Sequence, residues 1–279
     1  MNGALHVALV ILFLVLSGEA QGRGALHVVS LNLCTDQLLI LLANPEQVTG
    51  LTPLSRDCSN AVLCERAGNF PVIRPSAENL LARKPDLVLG ESFTAETTLL
   101  AARSVGADVE TFSPVNSLSE IPQQIGRMAG LLGVPERGEA LIRAFNDRLS
   151  RLSVTTGDSA PVAAIYTANG YITGRDSLPD DVLRHAGFRN FMSLDGNGYT
   201  RAIPLEILIA RHPDLLILDS SDSGVSLARS MLDNPALQRA FSGPHRLVMP
   251  ASRWLCGLPQ TLDALDALVT ARRALEAGQ

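Results

Sequence analysis

The sequence predicts an α/β protein made of two parallel-sheet lobes joined by a single long helix, with a ligand cleft between them. Three observations carry this. Short strand-like and helix-like segments alternate through most of the chain, the pattern of a parallel sheet covered by helices. The stretch AENLLARKPDLVL at 77–89 returns as LEILIARHPDLLI at 205–217, with seven identities in thirteen positions at a constant offset of 128. Between the copies lies one long amphipathic pattern, Pro135–Leu152, with Leu141, Ile142, Phe145, Leu149 and Leu152 at close to helical spacing.

The elements follow in order. His27–Asn32 (HVVSLN) reads as a buried strand, and Thr35–Leu42 as a helix with Thr35 or Asp36 as its cap. Val48–Thr52 is a second strand. Ala77–Lys84 is helical, Pro85 stops it, and Asp86–Gly90 is a strand. Ala95–Val105 reads as helix, Val109–Phe112 as strand and Ser119–Leu132 as helix. Pro135 suits the first position of the long helix. Thr155–Pro161 (TTGDSAP) has linker composition. The second half then offers strands at Val162–Thr167, Leu215–Asp219 and Arg246–Met249. Its helices are Asp180–Ala186, Leu205–His212 and Leu262–Ala277. The expected division is an export signal over 1–20, an N-terminal lobe over 24–134, a connecting helix over 135–154 and a C-terminal lobe over 160–279.

Val7–Leu16 is an unbroken apolar run of ten residues, about half of what a bilayer span needs. Gly18 and Ala20 fit a cleavage site after Ala20, although no Lys or Arg precedes the run. No Cys lies in this leader, so a lipid anchor there is excluded and an exported, soluble protein is expected. Hydrophobic residues make up 46% of the chain, enough for a core and too many for wholesale disorder. The net charge of −5 argues against nucleic acid as a partner.

In open parallel sheets, ligands bind beyond the carboxyl ends of the strands. That rule places the first lobe's cleft wall at Asn32–Thr35, Thr52–Ser55 and Glu91–Phe93. Its candidate ligand-binding residues are Asn32, Cys34, Thr52, Ser55 and Phe93. The second lobe's wall is Tyr166–Tyr171, Tyr199–Arg201, Asp219–Ser221 and Arg253–Cys256. Here Tyr166, Tyr171, Tyr199, Arg201 and Trp254 suit a bulky aromatic or anionic ligand, since arginine pairs with carboxylate or phosphate. Trp254, the sole tryptophan, fits either stacking on a flat ligand or packing between the lobes.

Catalytic signatures are missing. The sequence has no G-x-S-x-G elbow, phosphate loop, dinucleotide fingerprint or H-E-x-x-H, so no enzyme activity and no cofactor are expected. Asp195-Gly-Asn-Gly198 reads as a turn rather than a calcium loop. Beyond the leader the histidines are His27, His185, His212 and His245. None falls at a strand end facing the cleft, so no metal site is expected. An exported enzyme or sensor domain on the same scaffold, or a bare metal-ion binder, are the alternative readings. Cys58 and Cys64 share one polar loop and form a candidate disulfide. Cys34 and Cys256 fall on opposite cleft walls, where a bridge, a soft-metal site and inert buried thiols are all compatible with the sequence.

The chain resembles the periplasmic substrate-binding proteins of ABC importers for iron–siderophores, heme and cobalamin. The resemblance rests on VVSLNLCTDQLL, VTGLTPLSRD, the paired helix–Pro–Asp–strand units, the long middle helix and SLPDDVLRHAGFRN, in that order over nearly the whole chain. It implies two lobes with modest hinge motion and a metal chelate or corrinoid as ligand. An inner-membrane ABC permease would be the partner, and the protein a monomer. It also implies that one glutamate in each lobe's repeat, here Glu78 and Glu206, docks on permease arginines. A carboxylate in a helix's first turn also stabilises that helix through its dipole, so the position alone has two explanations.

Overall fold

The computed structural model describes residues 26–278, apart from 156, 158, 197 and 221–231. The proposed leader, residues 1–20, lies outside them, as does Ser221 of the expected cleft wall. The first lobe runs β1 (Val28–Ser30), α1 (Leu33–Leu42), β2 (Val48–Gly50), α2 (Cys64–Ala67), α3 (Ala77–Arg83), β3 (Leu87–Glu91), α4 (Glu96–Ser104) and β4 (Asp108–Phe112). Its four strands are all parallel, in the order β2-β1-β3-β4. Then come α5 (Ile121–Leu132) and the long α6 (Pro135–Leu152).

The second lobe contains β5 (Val162–Tyr166), β6 (Tyr171–Ile172), α7 (Leu178–His185), β7 (Arg189–Asn190), β8 (Arg201–Ala202), α8 (Leu205–Arg211) and β9 (Leu215–Asp219). It continues with α9 (Pro235–Ala240), β10 (Arg246–Met249), α10 (Ser252–Leu255) and α11 (Thr261–Ala277). Its sheet runs β10-β9-β5-β6-β8, with β7 also paired to β5. The pairings β10–β9, β9–β5 and β5–β7 are parallel, whereas β6 pairs antiparallel with both β5 and β8. This antiparallel margin departs from the expected all-parallel lobe. Its strands are two residues long, too short to leave a periodic signal.

The internal repeat is structural. Helices α3 and α8 have seven residues each, strands β3 and β9 five each, and all bounds are offset by 128. Both helices end on a left-handed residue, Lys84 (φ 44°) and His212 (φ 40°), immediately before the repeated proline. Proline disfavours right-handed helix in the residue before it. The repeated aspartate then has a definite task. Asp86 accepts a hydrogen bond from the His27 N–H (2.8 Å), and Asp214 accepts one from the Val162 N–H (2.7 Å). In each lobe it pins the start of the neighbouring strand.

Strand alternation divides the core. Val28, Leu87, Leu89, Ala163 and Ile165 join one cluster that passes through α5, α6 and α11 and unites the lobes. Val29 and Val88 face the outer cluster of the first lobe, and Ala164 and Tyr166 that of the second. Helix α6 lies against α5 and α11, and its Arg148 meets Asp263 of α11 at 2.7 Å. Among the described residues no helix is long and apolar enough to cross a membrane.

Three helix starts stand two residues from the sequence expectation. Helix α5 begins at Ile121, because Leu118–Glu120 forms a 3-10 turn where the sequence predicts the helix to open at Ser119. Helix α1 begins at Leu33, and its cap is Asn32 rather than Thr35 or Asp36. The Asn32 side-chain oxygen accepts from the N–H groups of Cys34 (2.7 Å) and Thr35 (3.4 Å). Helix α7 begins at Leu178, capped by Ser177 with Pro179 in the first turn.

Candidate functional site

A cavity of about 330 Å³ opens beyond the carboxyl ends of β5, β9 and β10. Ile165, Ile217, Met249 and Trp254 give it an apolar floor, and Thr167 and Asp219 add polar groups. Pro114, Val115 and Asn116, on the segment leaving β4, close its far side. A smaller niche of about 60 Å³ adjoins it in the first lobe, lined by Asn32, Cys34, Glu91 and Gln124 among others. The two share Pro114, Val115 and Leu255, so they are neighbouring parts of one cleft.

The repeat also organises the polar groups. Glu91 ends β3 and Asp219 ends β9, again 128 residues apart. Each lobe therefore directs one carboxylate to the cleft from the same point of its sheet. Glu91 accepts from the Asn32 side-chain amide at 2.7 Å, and Asp219 accepts from the Ala251 N–H at 3.0 Å. Burial pushes the Glu91 pKa up, with the Asn32 hydrogen bond acting against it.

The candidate residues are distributed unevenly around this cleft. Asn32 and Cys34 line the niche, and Trp254 lines the larger cavity. Thr52 and Ser55 are buried and turned inward. Thr52 donates from its N–H and its hydroxyl to Asp36, and the Ser55 hydroxyl donates to the Thr52 carbonyl at 2.7 Å. They brace the wall without lining it: the buried carboxyl on α1 requires donors, which Thr52 supplies, and Ser55 holds the Thr52 carbonyl. Tyr166 is fully buried. Strand parity sends it to the outer face of the sheet, while its neighbours Ile165 and Thr167 face the cavity. Its hydroxyl has no hydrogen-bond partner, and burial together with the Glu206 charge raises its pKa. Phe93 (82% exposed), Tyr199 (78%), Tyr171 and Arg201 are exposed and line neither cavity. Gly174 fixes the Tyr199 loop: a Cβ there would lie 2.3 Å from the Thr200 nitrogen.

For Trp254 the sequence leaves stacking on a ligand and packing between the lobes both open. Trp254 sits on the short helix α10, 5% exposed, and belongs to the core cluster that unites the lobes. It both packs and lines the cavity. Trp254→Ala is therefore expected to cost about 3 kcal/mol in stability, the low end for deleting a buried tryptophan, since part of the ring faces space. The same variant should weaken binding in the cleft; chemical unfolding and a ligand titration read the two effects separately.

Two contributors to the site escaped the sequence reading. The segment Pro114–Asn116 follows β4, so the strand-end rule applied to that strand would have found it. Ser177, Leu178 and Pro179 also line the cavity. They belong to SLPDDVLRHAGFRN, whose aspartates are structural. Asp180 accepts from the Asn190 side chain at 2.9 Å, and Asp181 accepts from the Leu118 N–H at 2.7 Å, tying α7 to the turn before α5.

All four cysteines are paired. Cys58–Cys64 closes a short loop in the first lobe. Cys34–Cys256 crosses the cleft, with Cα atoms 5.2 Å apart, which settles the three readings of that pair as a bridge. Among the described residues no three His, Cys, Asp or Glu side chains converge as metal ligands.

The family model for periplasmic binding proteins matches residues 28–240. Among solved structures, the chain is similar to the periplasmic heme-binding protein RhuT from Roseiflexus sp. RS-1 in apo form. The identity is 23%, the TM-score 0.72, and the match covers 92% of this chain and 100% of that one. A periplasmic heme-binding protein from Pseudomonas aeruginosa is 25% identical with a TM-score of 0.68, covering 88% and 91%. The periplasmic vitamin B12-binding protein BtuF of Vibrio cholerae is 16% identical with a TM-score of 0.66, covering 90% and 97%. No curated protein matches the sequence.

Proposed function

The chain belongs to the periplasmic binding protein family, and from that premise we propose that it captures an iron chelate, a heme or a corrinoid and delivers it unchanged to an inner-membrane ABC permease. One observation carries the reading. The 330 Å³ cavity lies at the strand ends of the second lobe and is walled from the first lobe's side by Pro114–Asn116. An apolar concavity with a few convergent polar groups is the usual form of a small-molecule site. The ligand's apolar body rests on Trp254, Met249 and Ile217, and its polar edge turns toward Asn32 and Glu91. Phe93, Tyr171, Tyr199 and Arg201 form an outer rim that a ligand larger than the cavity reaches. The heme-binding and vitamin B12-binding structures of the same fold support this choice of ligand classes. Two disulfides suit an oxidising, periplasmic location, and the protein acts there as a monomer after cleavage of its leader.

A thermal-unfolding screen with hemin, a ferric siderophore and cyanocobalamin tests the reading. A ligand at a hundred times its Kd stabilises by about 2.7 kcal/mol, and recovery of that ligand intact separates a carrier from an enzyme. A midpoint unmoved by all three classes contradicts the ligand assignment.

Docking on the permease falls to Glu78 and Glu206. Both are exposed, both lie in the first turn of their helix, and the repeat places one on each lobe. Two equivalent anions suit a permease with two-fold symmetry. Changing both to Gln is expected to shift stability by less than about 1 kcal/mol and to leave ligand affinity unchanged. Transport in membrane vesicles should fall, since losing one partner of an interfacial charge pair costs roughly 2–5 kcal/mol of binding. Normal transport by the double variant at limiting binding-protein concentration would rule the docking role out.

A further inference from the structure

The two lobes are joined covalently at two separate places. One is the chain itself, through α6, which packs on α5 and α11 and supplies no residue to either part of the cleft. The other is the Cys34–Cys256 bond, between residues 222 apart in sequence. Its two ends stand on opposite walls. Cys34 lies in the first turn of α1, with its N–H held by the Asn32 cap, and Cys256 directly follows α10, which carries Trp254 and Leu255. Both cysteines line the niche, and Leu255 lines the niche and the larger cavity. The junction beside the bond is close-packed: a Cβ on Gly257 would come within 2.6 Å of the Val115 side chain.

Two rigid bodies linked at one point swing freely about it. A second link away from that point confines the motion to rotation about the line through both. Here the second link lies in the cleft wall itself. We propose that the Cys34–Cys256 bond is a positioning strap for the ligand site, holding Trp254 and Leu255 of the second lobe at a fixed spacing from Asn32 and Glu91 of the first. This rests on the cleft being the ligand site. The Cys58–Cys64 bond spans six residues within one lobe and has no such role, which makes it the internal control.

The test works in the Cys58→Ser/Cys64→Ser background, where a dithiol reagent opens only the strap. The freed Cys34 and Cys256 thiols are re-oxidised, or cross-linked with thiol-reactive spacers of increasing length. Every cross-linked form closes the same loop, so loop entropy is nearly constant across the series while the spacing of the walls is not. The probes are hemin, a ferric siderophore and cyanocobalamin, and the retained probe is whichever binds the oxidised protein. Its affinity is expected to be highest for the disulfide and to fall at least tenfold with the longest spacer and in Cys34→Ser/Cys256→Ser. Unfolding midpoints of the cross-linked forms should stay together. Equal affinity across the series overturns the strap. If no probe binds even the oxidised protein, the ligand assignment fails, and small-angle scattering then decides on the strap. A radius of gyration that grows on reduction and with spacer length supports it, and an unchanged radius overturns it.

Discussion

Removing the Cys34–Cys256 bond will lower the unfolding free energy by about 5 kcal/mol, roughly twice the loss from removing Cys58–Cys64, in the chain-entropy account of disulfides. The difference comes from loop length. The first bond closes a loop of 222 residues and the second a loop of six, and the entropy withheld from the unfolded chain grows with the logarithm of that length. About 5 kcal/mol is a large share of the 5–15 kcal/mol that holds a typical domain folded. Urea unfolding of Cys34→Ser/Cys256→Ser and of Cys58→Ser/Cys64→Ser, each with its other bond intact, measures both terms. An equal or smaller loss from the long-range bond would show that the lobes are tied in the unfolded ensemble by something other than this disulfide.

The second large effect is a fall in stability as pH rises from about 4 to about 7, arising at Asp36. This carboxyl is fully buried in the first turn of α1. Burial pushes its pKa from 3.8 up to about 7, against the opposing hydrogen bonds from Ser30 and Thr52. A carboxyl that holds its proton more tightly when folded favours the folded state most below its unfolded pKa. That contribution, of the order of 4 kcal/mol, is lost as pH climbs through the folded value. Glu91, also raised by burial, acts in the same direction. Asp57 acts in the opposite one, since hydrogen bonds from Ser59 and Asn60 lower its pKa. Asp36→Asn keeps an oxygen for the Thr52 N–H and offers an amide to its hydroxyl. The variant should therefore lose most of the slope between pH 4 and 7 and be the more stable protein at pH 7.5. A slope unchanged by the substitution would remove Asp36 as its source.

The parts of the fold that were legible in the sequence are those written as repeated local chemistry. The unit around Pro85 and Pro213 announced itself because helix, stop and strand all depend on residue types that recur at one offset. The structure supplies the reason for the least obvious identity, Asp86 and Asp214, each of which accepts an N–H from the neighbouring strand. The start of helix α6 was legible because Pro135 opens it and one apolar stripe runs along it. The two-residue strands β6 and β8 were not, being too short to show a period. In the candidate site, the strand-end rule points to the loops that carry Asn32, Cys34, Asp219 and Trp254, but it does not show which side chains turn toward the cleft and, left unapplied to β4, it misses Pro114–Asn116. Tyr166 sits at a strand end yet points outward by parity. Thr52 and Ser55 sit on the expected loop but turn inward, Thr52 to satisfy Asp36 and Ser55 to bond the Thr52 carbonyl, a need visible only once Asp36 is known to be buried. Cys34 and Cys256 were placed on facing walls, but their bond depends on a Cα separation of 5.2 Å that no spacing in the sequence specifies.

The proposed function requires a small molecule held in the cleft beside Trp254. This residue is the chain's sole tryptophan, so its emission reports on one place. The decisive measurement is a fluorescence titration of the oxidised protein with hemin, a ferric siderophore and cyanocobalamin, corrected for absorption by each ligand with free tryptophan as reference. The cleft reading predicts saturable, one-to-one quenching by one of these classes and none by the other two. Emission that follows the free-tryptophan control for all three would contradict it.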